Sequence, residues 1–213
     1  MICAVAIVAV AALSEVPPPD PDDAELRVAE ELIRLARSGD AGAYDVEYRF
    51  TRTRGDERLT FGIRLARTSE ARVEIGEGAT RIQIGDRGWD CVPVDGLPAC
   101  LEREPGGATA GSAAPYLVAV LSGRYRIADA GDREIAGEAV RCFSLRLAGA
   151  VPVSGLGTAL DVCLDAGGVP LLTRFVGPGT VDERRAEAVR PIDRAELAVL
   201  IATASGGAVV LDP

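Results

Sequence analysis

The spacing of apolar positions changes period twice along the chain. In "DDAELRVAEELIRLARSGD", Leu26, Ala29, Ile33 and Ala36 share one stripe, and Val28, Leu32 and Leu35 widen it. That spacing predicts an amphipathic helix. Asp22 or Asp23 can cap it, Glu25 sits in its first turn where the helix dipole favours an acid, and Gly39 reads as its stop. The period then becomes two. Tyr44, Val46, Tyr48 and Phe50 alternate with polar residues, as do Leu59, Phe61, Ile63 and Leu65, then Ala71, Val73 and Ile75, then Ile82 and Ile84. "RGDE" and "GEGA" supply turns between these runs. After a small-residue loop, "EPGGATAGSAA", a short apolar helix "APYLVAVLSG" ends at Gly123. Strand patterns resume in "RYRIAD", "EIAGEAVRCFSLRL", "ALDVCLD", "PLLTRFVG" and "RRAEAVR". A last helix, "DRAELAVLIA", follows Pro191 with Asp193 as its cap, and "SGGAVVLDP" reads as a loose tail. The fold class is α+β: consecutive antiparallel strands, apolar on one face and wet on the other. One domain is expected over residues 23–204, followed by a tail at 205–213. Arg49, Arg64 and Arg72 are expected on the solvated face.

The chain's first residues differ from this body. Ile2 to Leu13 are apolar, too short to span a bilayer, which takes roughly 20 residues, but of signal-peptide length. Residues 1–14 therefore read as a signal-like segment, although the usual basic residues before it are missing. Residues 15–22, rich in Pro and Asp, read as a linker. Cys3 precedes the apolar run instead of following it, so it is not expected to carry lipid. The segment itself offers a route to membrane association.

"CVPVDGLPAC" is the most constrained stretch. With Asp95-Gly96 at a two-residue hairpin turn, Val94 faces Leu97, Pro93 faces Pro98, Val92 faces Ala99 and Cys91 faces Cys100. The prolines then fall on a non-hydrogen-bonded pair, and the cysteines on another, where opposed Cα atoms lie about 4.5 Å apart. This is within the range of a disulfide. Cys142 and Cys163 sit in two strand patterns that antiparallel pairing brings together. Of the three connectivities open to four cysteines, adjacency selects 91–100 and 142–163. Zinc is disfavoured because the short Cys-x-x-Cys knuckles are missing. Disulfides and an export-like segment place the chain in an oxidising, extracytoplasmic compartment.

Composition narrows the chemistry. Of 213 residues, all 23 basic ones are Arg; there is no Lys and no His. A Ser-His-Asp triad, imidazole metal ligation and Schiff-base chemistry are therefore excluded by inventory. A net charge of −9 argues against nucleic acid as a partner. The candidate carboxylate pairs, Asp129 with Asp132 and Asp182 with Glu183, stand in polar stretches, whereas acid–base catalysis needs one carboxyl raised by burial. "PVSGLG" lacks the glycine two positions before Ser154 that a nucleophile elbow requires, and "GLGTAL" carries Leu160 where a dinucleotide fingerprint ends in Gly. No enzyme, metal or cofactor is expected.

"YDVEYRFT", "IGDRGWDCVPVDGLPACLE", "EIAGEAVRCFSL" and "DVCLDAGGVPLLTRF" resemble the lipoprotein-localisation superfamily of LolA/LolB-like carriers and LppX/LprG-type lipoproteins, in particular its exported actinobacterial members. The resemblance spans about residues 24–200. It implies a strongly curved antiparallel sheet, a half-barrel, with helices closing its open side and an apolar concave face that holds acyl chains in the carriers. The cavity lining expected here is Tyr44, Val46, Tyr48, Phe50, Leu59, Phe61, Ile63, Leu65, Val73, Ile82 and Ile84. The main expectation is a monomeric, exported, non-enzymatic protein holding a lipid or other apolar ligand. The alternative is a cell-envelope interaction or sensor domain without lipid cargo, since the superfamily includes sensors that contact anti-sigma factors.

Overall fold

The computed structural model describes residues 22–103, 114–153 and 155–211. The apolar N-terminal segment with Cys3, the linker up to residue 21, the loop 104–113, Ser154 and the last two residues lie outside the described residues. The elements run α1 (Asp23–Ala41), β1 (Tyr44–Arg54), β2 (Glu57–Arg67), β3 (Ala71–Gly76), β4 (Ala79–Ile84), β5 (Arg87–Val94), β6 (Leu97–Glu102) and α2 (Ala114–Leu121), then β7 (Tyr125–Ile135), β8 (Glu138–Leu147), β9 (Ala159–Asp165), β10 (Pro170–Gly177), β11 (Thr180–Arg190) and α3 (Arg194–Ala204). No helix among the described residues is long and apolar enough to cross a membrane.

All strands among the described residues join one antiparallel sheet of eleven, in the order β6-β5-β4-β3-β2-β1-β11-β10-β9-β8-β7. Two local meanders, β1–β6 and β7–β11, meet at the β1–β11 seam. Mid-chain strands β6 and β7 form the two edges, and the sheet stays open. It is also strongly curved. Glu74 on β3 and Arg184 on β11 form an ion pair at 3.2 Å. Three strand steps and four residues of offset would hold their Cα atoms roughly 20 Å apart in a flat sheet, beyond the reach of the two side chains. This is the α+β half-barrel that the alternation and the resemblance imply.

The helices cover the two faces unequally. α1 and α2 pack on the β7–β9 end, where Leu32, Leu35, Tyr116, Phe143, Leu145, Leu160 and Val162 form one core. α3 packs on the opposite face of the other end. There Val73 and Ile82 are buried with Leu197 and Ile201. The register explains the change of face: Leu65 stands opposite Glu74, and Ala66 opposite Val73. The apolar residues of β3 therefore point away from those of β2. The Asp193–Glu196 capping box starts α3.

Two expectations are corrected. Gly39 does not stop α1, which runs to Ala41 after its Asp22 cap. Gly39 instead lets α1 touch the β9–β10 turn: a Cβ at Gly39 would meet the Gly168 carbonyl oxygen at 2.1 Å, and one at Gly168 would meet the Leu35 oxygen at 1.8 Å. The segment after α3 is not loose either. Val209 and Leu211 are buried against Leu197 and Ile201, and the Ser205 hydroxyl accepts from Val209 N at 3.0 Å.

The cysteine hairpin takes the register expected of it. Val94 pairs with Leu97 and Cys91 with Cys100, and Asp95 and Gly96 adopt φ of 52° and 82° at the turn. Disulfides join Cys91 to Cys100 and Cys142 to Cys163, each with Cα atoms 4.0 Å apart. Four thiols thus committed are not zinc ligands.

Candidate ligand-binding groove

The concave face carries a groove of about 700 Å³. Its walls come from six adjacent strands, β4 through β1 and on to β11 and β10, with Pro115 and Tyr116 of α2 facing them. Alternation along β1 and β2 points Tyr44, Tyr48, Phe50, Leu59, Phe61, Ile63 and Leu65 into it. These are seven of the eleven residues expected to line a cavity. Val46 shares their face but is fully buried in the central core. Val73, Ile82 and Ile84 lie on the other face, packed with α3. Phe50 and Phe61 stack across the strand pair with ring centroids 4.7 Å apart.

The groove also holds charge that sequence reasoning placed in solvent. Because β3 presents its polar side to the concavity, Arg72 and Glu74 line the wall. Glu74 accepts from Arg72 at 2.8 Å and from Arg184 at 3.2 and 3.3 Å, which joins opposite walls. Burial alone would raise the Glu74 carboxyl, but Arg184 and Arg72 together outweigh it and hold its pKa below the ordinary value. Near the other end Arg52 forms a two-pronged bond to Asp182 at 2.6 and 2.7 Å, and that hydrogen bond lowers the Asp182 pKa. Arg67 donates to the Asp40 carboxylate at 2.9 Å and to its carbonyl oxygen at 2.5 Å. Three tyrosines complete the set. Tyr48 donates to the Pro170 carbonyl at 2.6 Å. Burial raises the pKa of Tyr44, Tyr48 and Tyr116, so all three remain neutral phenols at ordinary pH. The signal that could have found this cluster is the register of β2 against β3, which alternation within each strand does not contain.

The Glu74 shift has a testable sign. A carboxyl whose folded pKa is depressed stabilises the fold above its unfolded pKa, near 4.5, and loses that contribution as pH falls through the folded value. Melting temperatures of the wild type and Glu74→Gln, taken from pH 7 to pH 3, should therefore converge below about pH 4.5. A constant gap across that range would contradict the role given to the carboxylate.

The other predicted features resolve as structural. Asp129 and Asp132 both pair with Arg141, at 2.7 and 3.2 Å. Asp182 and Glu183, as neighbours on β11, point to opposite faces. Arg64 and Arg190 bracket the buried Asp45 at 2.7 and 2.6 Å, and Arg49 pairs with Glu187. Among the described residues no group of three or more potential ligands could hold a metal ion.

No family model and no curated protein matches the chain. Solved structures do. A chain of the Pseudomonas aeruginosa MucA/MucB complex aligns with a TM-score of 0.51 at 14% identity, covering 88% of this chain and 64% of that one. The two share a fold. A second structure of MucB is covered over 60% of its length, so this chain spans less than two thirds of those proteins. LppX from Mycobacterium tuberculosis aligns with a TM-score of 0.43 and 14% identity, covering 77% of this chain and 98% of that one. A LolA superfamily protein from Nitrosomonas europaea aligns with a TM-score of 0.36 and 12% identity, covering 78% of this chain and 94% of that one.

Proposed function

We propose that this is an extracytoplasmic, non-catalytic binding protein whose concave groove holds a lipid or other apolar ligand. The observation that carries the proposal is the groove itself: about 700 Å³, half-open, with Phe50, Phe61, Ile63, Leu65 and Phe175 turned inward. Its volume falls in the range of small-molecule sites, about 300–1,000 Å³. Apolar side chains held against a cavity instead of each other gain from a ligand that removes them from water. The two disulfides support an oxidising compartment.

A second reading has its own support. MucB, which shares the fold, is solved in complex with MucA. The β5–β6 edge hairpin of this chain also exposes Val92, Val94, Leu97 and Leu101. By the alternation of the two paired strands these four side chains share one face. A protein-binding role would use that face.

One experiment separates the readings. N-phenyl-1-naphthylamine, an apolar fluorescent probe, should bind the wild type and lose at least tenfold in affinity in Phe61→Arg, with Leu101→Asp unchanged. Loss in Leu101→Asp alone would move the apolar site to the hairpin. Organic extraction and mass spectrometry of protein secreted from its host would then identify cargo.

A further inference from the structure

The groove is graded from one end to the other. Along the paired strands Tyr44 stands opposite Arg67, Tyr48 opposite Ile63, Phe50 opposite Phe61 and Arg52 opposite Leu59. Tyr44, Tyr48 and Tyr116 are buried, and Arg67 is 9% exposed, whereas Leu59 is 52% exposed. Along β1 and β2 the closed end is thus polar, the middle apolar and the far end open, while on β11 Arg184 stands opposite Phe50 and reaches Glu74 across the groove. A cavity serving only hydrocarbon would have the opposite order, because polar groups at a closed end are costly without partners.

Two of those groups lack a partner. Tyr44 Oη and Arg67 Nε are out of solvent and make no hydrogen bond among the described residues. Burial is the largest influence on the Tyr44 phenol, and the nearby Arg67 opposes it by charge and by hydrogen-bond proximity, but no donor–acceptor pair between the two side chains has the distance and angle of a formed hydrogen bond. Native proteins leave few such groups, and each calls for an explanation. Charge points the same way. Arg72 and Arg184 share the single carboxylate of Glu74, so that cluster keeps one positive charge uncompensated. The lining has five arginines and three acids. Arg67 and Arg81 also pair with Asp40 and Asp90 outside it, so the charge left over is that of Arg72 and Arg184 on their shared carboxylate.

We infer that the ligand is a single-chain amphiphile with an anionic head group, seated head first at the Tyr44–Arg67 end of the groove. This rests on the groove's being a ligand site. Arg67 Nε–H and Tyr44 Oη–H donate to the head-group oxygens, and Arg72 with Arg184 supply the balancing charge. The tail runs over Ile63, Phe50 and Phe61 toward the mouth at Leu59 and Arg52.

Dodecanoate and dodecan-1-ol, competed against the fluorescent probe at pH 7, test this. Dodecanoate should bind at least tenfold tighter than the alcohol. Tyr44→Phe and Arg184→Gln should each cut that preference several-fold and leave the alcohol's affinity unchanged. Tyr44→Phe removes only an unpartnered hydroxyl, so its melting temperature should not fall, and it keeps the test valid if Arg184→Gln folds poorly. Arg52→Gln, at the mouth, should keep the preference. Equal binding of acid and alcohol would overturn the inference while leaving the groove a ligand site. A preference lost in Arg52→Gln but kept in Tyr44→Phe would overturn it too, by placing the head at the mouth. Failure of both probes to bind would overturn the inference together with the groove reading.

Discussion

Replacing Gly168 with alanine should lower the melting temperature by roughly 6–12 °C, the largest drop expected of any single methyl group added to this protein. That shift corresponds to about 3 kcal/mol in a domain of this size. Two effects combine at the site. Gly168 has φ of +83°, where a side chain is strained, and its new Cβ would lie 1.8 Å from the Leu35 oxygen and 2.5 Å from Gly39 N. Both nearby atoms are backbone, so neither can rotate away. Relief requires α1 to lift from the β9–β10 turn, and α1 carries Leu32 and Leu35 into the core. Gly137 is the control. It also has positive φ, at +80°, but an added Cβ there meets nothing within 4 Å. Gly137→Ala should lose only the conformational part, about 1 kcal/mol. Equal shifts in the two variants, followed by thermal melts, would show that backbone strain alone decides the loss and that the helix contact does not.

Removing the Cys142–Cys163 disulfide by paired alanine substitution should cost about 3.4 kcal/mol, against about 2.7 for Cys91–Cys100, on the chain-entropy account. The difference follows from sequence separations of 21 and 9 residues. Burial should widen it. Cys142 and Cys163 are enclosed in the central core beside Leu171 and Val140, so alanines there also leave a void. Cys91 and Cys100 lie on the edge hairpin, with Cys100 only partly buried. Under native conditions a small thiol reductant should therefore open 91–100 first, as read by mass spectrometry after alkylation. Loss of that bridge should lower stability and leave binding of the apolar probe unchanged, because the hairpin does not line the main groove. If Cys91→Ser abolished probe binding with melting unaltered, the bridge would have a role in the site and not in the staple.

The features legible in the sequence were those determined by neighbours along the chain. The cysteine hairpin was readable because turn residues, prolines and cysteines within ten positions all require one register. The capped starts of α1 and α3 were readable for the same reason. Features set by distant partners were not. Gly39 resembles a helix stop until Gly168, far along the chain, is seen to need its bare Cα. Ala71, Val73 and Ile75 form an apolar row as clear as that of β2, but alternation reveals two faces and not which element covers each. The cover is α3, beginning only at Arg194. Once it takes that face, Arg72 and Glu74 must turn toward the groove, and residues that looked like a wet surface become part of the candidate site.

The meeting of the two meanders at the β1–β11 seam also orders events in time. Every other strand pairing joins elements consecutive along the chain, and each disulfide lies inside one meander. Each half can therefore form its hairpins and oxidise from local contacts, which close quickly, while the seam must bring together residues far apart in sequence. The contacts that shape the groove, Glu74 with Arg184, Arg52 with Asp182 and Tyr48 with the Pro170 carbonyl, all bridge that seam. A half-made chain, even one fully oxidised, has no groove; the groove takes shape only when the seam closes.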